Sequence, residues 1–332
     1  MRWIDTMIVK ERKVPLINLK LEALLKRIPA THPKWPLIKE NLAKRSSGYK
    51  GELSLNYPLS FLREKDYFIF HDVRLNISDH YFQIDTLVVS QKLILIIEVK
   101  NTTGTLFFDQ EFHQLIRTYK GEKMVFPDPI TQLKRQMLQL NQWLTGKCIP
   151  AIPIVPLVVV SHPNAIIQMS PKHQALNKTV VNRYYLSTRI NQIEKNYQKD
   201  VLSPKDIKKL KRILIKEHVP LDVSVLDKYE INSSDVRKGV ICAACGHLYM
   251  MRVYGSWYCK HCQQHEKNAH IQALKDYYLL YGSQITNKSA REFLKISSPF
   301  LASRILRSME VQSSGTTKGR TYELSFKEFQ NC

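Results

Sequence analysis

Asp85, Glu98 and Lys100 carry charge inside two of the most apolar stretches of the chain, Tyr81 to Ser90 and Leu93 to Lys100. Buried strands ordinarily exclude charge, so these three residues call for a chemical reason. The stretches read as strands joined by a two-residue turn at Gln91-Lys92. If Ser90 pairs with Leu93, Asp85 falls directly opposite Glu98, and Lys100 shares their face because strand side chains alternate with period two. Two carboxylates that close repel and partly protonate unless a cation sits between them. Hard oxygen donors suit Mg²⁺ or Mn²⁺, which keep several waters and share carboxylates with a substrate phosphate. A lysine beside them orients or helps deprotonate an attacking water and neutralises charge building on phosphorus. This set describes phosphodiester hydrolysis. Its alternative is a buried salt bridge from Lys100 to Glu98 or Asp85 that holds register, although burying acids without functional return is expensive.

A second cluster is made of thiols. Cys242-Ala243-Ala244-Cys245 is followed after thirteen residues by Cys259-Lys260-His261-Cys262, while Cys148 and Cys332 stand apart. Each CxxC turn can present two thiolates to one tetrahedral zinc ion, and the intervening residues suffice for a hairpin. Four cysteines leave no open position for a catalytic water, so the expected Zn²⁺ is structural and the segment unfolded without it. Redox use of these cysteines is the weaker alternative, since two pairs at this spacing argue for metal.

The chain that must position these clusters has 332 residues, enough for two to three domains, with 44% hydrophobic and 24% charged residues, as in a globular protein. Fifty Lys and Arg against 29 Asp and Glu give a formal net charge of +21, which predicts a polyanionic partner. No apolar run reaches the length of a membrane helix, and the N-terminus lacks the pattern of a secretory signal, so a cytoplasmic location is expected. There are no repeats. Residues Met1 to about Lys50 read as basic and helical. A short helix is expected at Gly51 to Leu62, strands near Tyr67 to Leu75, Tyr81 to Ser90 and Leu93 to Lys100, a helix at Ile130 to Leu144, and a buried strand ending near Ser161. Ser203-Pro204 opens a basic helix that closes this α/β domain.

Four short motifs in this order, Gly48-Tyr49-Lys50-Gly51-Glu52, Gln83-Ile84-Asp85, Ile97-Glu98-Val99-Lys100-Asn101 with Gly104, and Pro129-Ile130-Thr131-Gln132, resemble the signatures of the nuclease-related domain (NERD) family within the PD-(D/E)xK nuclease superfamily. The resemblance covers roughly Met1 to Leu144 and extends to about Pro220. It implies a restriction-endonuclease-like mixed sheet flanked by helices and a Mg²⁺- or Mn²⁺-dependent nuclease. Asp85, Glu98 and Lys100 match the superfamily's catalytic acid, acid and lysine, Glu52 the acid on its first helix, and Gln132 the glutamine on the following helix. Ile84, not Pro, precedes Asp85, as in the NERD form. Read without the family, Glu52 is a carboxylate near the positive end of a helix starting at Gly51, and Gln83 and Gln132 satisfy buried backbone groups.

The C-terminal stretch reads as three helices and a hairpin: Ala269 to Tyr281, Lys288 to Lys295 capped by Asn287, and a third from Ser298-Pro299 to about Met309. The short turn between the last two, with a wing at Val311 to Phe326, looks like a winged helix-turn-helix. Ser303, Arg304 and Arg307 on the third helix would then reach bases or phosphates of DNA, with Lys318 and Arg320 on the wing. A small helical bundle with a solvated basic face is the alternative. The expected domains are 1–220, nuclease-like with basic N-terminal helices; 236–266, a zinc ribbon; and 268–330, a winged helix. The expected function is a DNA nuclease targeted by the last two, with a non-catalytic DNA-binding protein as the second reading.

Overall fold

The computed structural model describes residues 7–309, 311–316 and 319–325. The chain begins with β1 (Ile8–Lys10), α1 (Leu16–Arg27) and α2 (Trp35–Leu53). It packs as two units: the first takes residues up to Val14 and Lys44–Leu221, the second Pro15–Ala43 and residues from Asp222 on. The boundary therefore falls within α2, and Pro15–Ala43, grouped by sequence with the nuclease-like region, packs with the C-terminal part instead. The reason is visible in its apolar face: Ile17, Leu21, Leu24 and Ile38 are buried in one cluster with Val225, Leu226 and Tyr229.

In the first unit, α3 (Asn56–Leu59) leads to a hairpin of β2 (Phe68–Ile77) and β3 (His80–Val89), then β4 (Ile94–Lys100). A second sheet follows with β5 (Gly104–Asp109), β6 (Gln114–Tyr119) and β7 (Glu122–Pro127), before α4 (Pro129–Gly146), β8 (Ile154–Val160), β9 (Ala165–Met169), β10 (Val180–Asn182), α5 (Leu186–Asn196) and α6 (Pro204–Glu217). The main sheet is mixed, in the order β1-β2-β3-β4-β8-β10, and the second runs β7-β6-β5-β9. Helices cover both faces of the main sheet. Leu133, Leu140, Trp143 and Leu144 of α4 and Ile207, Leu210 and Leu214 of α6 pack with Ile94, Ile96 and Val158. Leu59 of α3 and Leu186, Ile190 and Ile193 of α5 pack with Leu95, Ile97 and Val159.

Two details differ from the expected elements. The short helix expected at Gly51 to Leu62 is instead the end of α2 plus α3. Neither Gly48 nor Gly51 breaks α2; a Cβ on Gly51 would lie 2.2 Å from Asn101 Cβ and 2.7 Å from Ser161 Oγ, so glycine is what lets the helix approach the ends of β4 and β8. The alternation along the β2–β3 hairpin also slips. Phe70, then Val73 and Leu75, share a cluster with Phe82, Ile84, then Leu87 and Val89. The slip occurs in both strands at Asp72 and Asp85, which face each other between the pairs His71↔Thr86 and Val73↔Ile84, and Asp72 takes φ 53°.

In the second unit, α7 (Val225–Tyr229) precedes the four-cysteine segment with β11 (Met251–Val253), β12 (Ser256–Tyr258) and β13 (His265–Glu266). Then come α8 (Ala269–Tyr281), β14 (Gln284–Thr286), α9 (Asn287–Leu294), α10 (Pro299–Ser308), β15 (Gln312–Ser314) and β16 (Thr321–Glu323), with a sheet ordered β14-β16-β15. Thr286, not Asn287, caps α9, accepting from Ser289 N; Asn287 donates to Pro299 O and Ser303 Oγ. Trp257, Cys242 and Cys259 lie in the same core as Leu274, Phe293 and Leu306, so the cysteine segment and these helices are one packed body rather than two. A buried ion pair, Arg27 Nε to Asp276 Oδ2 at 2.7 Å, fastens α1 to α8. Among the described residues no helix is long and apolar enough to cross a membrane.

Candidate functional site

The β3–β4 pairing runs Val89↔Ile94 to Thr86↔Ile97, and Ser90 N donates to Leu93 O at 3.0 Å, so continuing the count sets Asp85 opposite Glu98. There the ladder ends, because Asp85 Oδ2 accepts from the backbone N–H of Val99 at 3.0 Å. Glu98 is 5% exposed with both oxygens engaged: Lys100 Nζ donates to Oε1 at 2.7 Å and Gln132 Nε2 to Oε2 at 2.7 Å. Gln132 is held there by the start of α4, where Asp128 accepts from Ile130 N and Thr131 N and Pro129 occupies the first turn. Thus Asp85, Glu98, Lys100 and Gln132 meet at one end of the sheet.

Glu52 joins them from α2, but from its last turn rather than a first turn. The helix dipole there disfavours a carboxylate, so the dipole explanation of Glu52 is overturned. Burial raises its pKa, and Asp72 and Glu98 raise it further while Arg12 opposes them. Asp85 is raised well above the usual carboxylate range by burial and by Glu98 and Glu52. Asp85 and Glu98 offer hard oxygen donors of the chemical type that Mg²⁺ or Mn²⁺ takes.

Sequence reasoning missed the cationic side of this cluster. The Arg12 side chain, 2% exposed, pairs with Glu52 Oε2 and donates to His71 Nδ1 and Thr86 Oγ1, both at 2.8 Å. Lys10 Nζ donates to the carbonyls of His71 and Asp72 at 2.8 and 2.9 Å. Burial, with Arg12 and Lys10 nearby, lowers the His71 pKa to about 3, so the ring is neutral. The one available sequence signal was His71-Asp72 interrupting an apolar strand; nothing local marked Arg12.

The four cysteines converge as expected. Their sulfurs lie within 4.8 Å of one another, with Cys242 to Cys262 and Cys245 to Cys259 at 3.6 Å. That is far beyond a disulfide and close to the edge, about 3.8 Å, of a tetrahedron with Zn–S bonds of about 2.3 Å. The backbone N–H groups of Cys262 and His261 donate to the Cys259 sulfur and hold its pKa down at about 7, while Cys245 is pushed up to about 12 and Cys262 is also raised, so without a metal the four thiols do not all favour the thiolate. The cluster could hold zinc.

On α10, Arg304 and Arg307 are exposed, and Ser303 is half-buried under the Asn287 amide. Arg320 precedes β16 with its Nε buried and unpartnered among the described residues; Lys318 lies outside the described residues.

Residues 47–161 match the family model of NERD, the nuclease-related domain. The matched stretch is narrower than the resemblance read from sequence. It contains Glu52, His71, Asp85, Thr86, Glu98, Lys100 and Gln132, and excludes Arg12, the four clustered cysteines and everything from β9 onward. No curated protein and no solved structure matches the chain.

Proposed function

We propose that this protein is a metal-dependent nuclease that hydrolyses phosphodiester bonds in DNA, with the nuclease-related domain of residues 47–161 as its catalytic part. The observation that carries the reading is the meeting of Asp85, Glu98, Lys100 and Gln132, drawn from β3, β4 and α4, at one sheet end. Asp85 and Glu98 would hold Mg²⁺ or Mn²⁺, which when bound supplies Lewis-acid polarisation of the phosphate and a more acidic water. Lys100, whose side chain is 26% exposed while that of Glu98 is 7% exposed, presents its ammonium to solvent and can meet charge developing on the phosphate. Gln132 fixes the Glu98 carboxylate, and Glu52 adds a further acid to the cluster.

In this reading the C-terminal elements bring the catalytic domain to DNA. The order α8, β14, α9, α10, β15, β16 and the antiparallel sheet β14-β16-β15 support a winged helix whose α10 enters the major groove. Arg304 and Arg307 would contact bases or phosphates, Ser303 would steady the helix, and Arg320 and Lys318 would contact backbone from the wing. The four-cysteine zinc ribbon shares the core of that domain and holds its shape. One observation favours a second reading, a non-catalytic DNA-binding protein: both Glu98 oxygens already have partners, as in a salt bridge kept for register.

The deciding experiment measures Mg²⁺- and Mn²⁺-dependent cleavage of supercoiled, linear and single-stranded DNA by wild type, Asp85→Ala and Glu98→Ala at matched DNA affinity. Cleavage lost in both variants while binding survives establishes the enzyme. Absence of cleavage by wild type, with salt-dependent binding intact, selects the second reading.

A further inference from the structure

Glu52 is held in an environment that disfavours its charge. It sits at the carbonyl end of α2, half-buried, with Asp72, Asp85 and Glu98 near enough to act on it or be acted on by it. Its ion-pair partner is Arg12, and Arg12 does more than balance charge. Its guanidinium reaches three acceptors on three elements: Glu52 on α2, His71 on β2 and Thr86 on β3. Thr86 directly follows Asp85 and pairs with Ile97, which directly precedes Glu98, so the fork is anchored one residue from each of the two acids. Lys10 latches the same segment to β2 through the carbonyls of His71 and Asp72. A guanidinium cannot accept a hydrogen bond, so His71 Nδ1 must carry the lone pair and the ring proton must sit on Nε2. Arg12 Nε is buried with no hydrogen-bond partner among the described residues.

We propose that Arg12 is a positioning residue of the nuclease centre: by forking onto Glu52, His71 and Thr86 it fixes the Glu52 carboxylate beside Asp85 and Glu98, so the functional centre begins upstream of the matched domain. The inference rests on the nuclease reading of that site. Geometry rather than charge is the content of the proposal, because an ammonium is a point charge that cannot span three acceptors in a fixed fork.

The test uses the full chain with Arg12→Lys, which keeps the charge and removes the fork. Expected is a fall of about 10²-fold in kcat for Mn²⁺-dependent DNA cleavage, the scale of a misplaced reacting group, with KM for DNA within about twofold. Mn²⁺ affinity, read by calorimetric titration without DNA, falls about tenfold, a loss of about 1.4 kcal/mol. The Glu52→Gln, Arg12→Lys double variant is no worse than Glu52→Gln alone, since both act through one carboxylate. The ¹⁵N signature of His71 changes because Nδ1 loses its donor. Should Arg12→Lys fail to fold, Thr86→Val removes one arm of the fork and carries the test, with a smaller loss in the same two quantities. Wild-type kcat and Mn²⁺ affinity in the folded Arg12→Lys or Thr86→Val protein overturns the proposal. A wild type that binds Mn²⁺ through Asp85 but cleaves no DNA sinks the nuclease reading alone, and the positioning role is then decided by Mn²⁺ affinity. A wild type that does neither overturns both.

Discussion

The thiol cluster and the carboxylate cluster solve the problem of gathering like groups in opposite ways. The four sulfurs come from one short stretch, Cys242 to Cys262, and contact one another across 3.6 Å with backbone N–H groups as their other help. The acids come from α2, β3 and β4, and each already has a partner from the chain: Arg12 for Glu52, Val99 N for Asp85, Lys100 and Gln132 for Glu98. A cage whose donors have only one another is completed by its metal. A cluster that carries its own cations can stand without one and binds a metal by exchange. Folding should therefore depend on metal at the first site and activity at the second.

The largest effect expected from that contrast is at the cysteines. Chelation of zinc, or Cys259→Ser, removes a contribution on the scale of about 10 kcal/mol seen for structural zinc. Calorimetry should then show the transition of the second unit lowered by more than about 10 °C and that of the first unit unmoved; a chelator that shifts neither breaks the comparison. Next, Asp85→Asn should lower Mn²⁺-dependent cleavage about 10³-fold, about 4 kcal/mol in barrier. In metal-free protein it should raise the melting temperature of the first unit, because it removes a carboxylate that burial and its neighbours push toward neutrality. Gly51→Ala tests how the acid site is assembled. Its Cβ overlaps Asn101 and Ser161, so denaturant titration should show a loss of about 1–3 kcal/mol, with cleavage reduced as Glu52 is displaced.

Smaller effects refine the picture. Arg304→Ala and Arg307→Ala should each weaken DNA binding by about 1–3 kcal/mol, and for a phosphate contact reduce the salt slope by about one, leaving kcat at saturating DNA unchanged. A separate effect concerns pH. His71 titrates near 3 when folded and about 6.5 when unfolded, so its contribution is complete above about pH 6.5 and is lost as pH falls toward 3. Urea midpoints of the first unit should therefore fall with acid over that window by the slope of one proton, and His71→Gln should flatten it. The raised acids act in the other direction, contributing below their ordinary pKa values and losing that contribution as pH rises.

What could be read from residues alone was local. The two-residue turn after Ser90 set the register that brings Asp85 toward Glu98, period two carried Lys100 to the same face, and the CxxC spacing specified the thiol cage. Ser203-Pro204 and Ser298-Pro299 likewise marked real helix starts. Each of these depends on geometry within a few residues, where sequence separation and spatial separation are nearly the same thing. The tertiary structure decided the rest. It placed Glu52 at the end of a long helix rather than the start of a short one, because Gly51 permits an approach to Asn101 that no local rule contains. It supplied Arg12 as counter-charge from a segment forty residues upstream of Glu52, and it packed Pro15–Ala43 with the second unit. Those outcomes follow from which buried charge needs a partner and which apolar face needs cover, and such needs are met by whatever the folded chain brings near, regardless of distance along it.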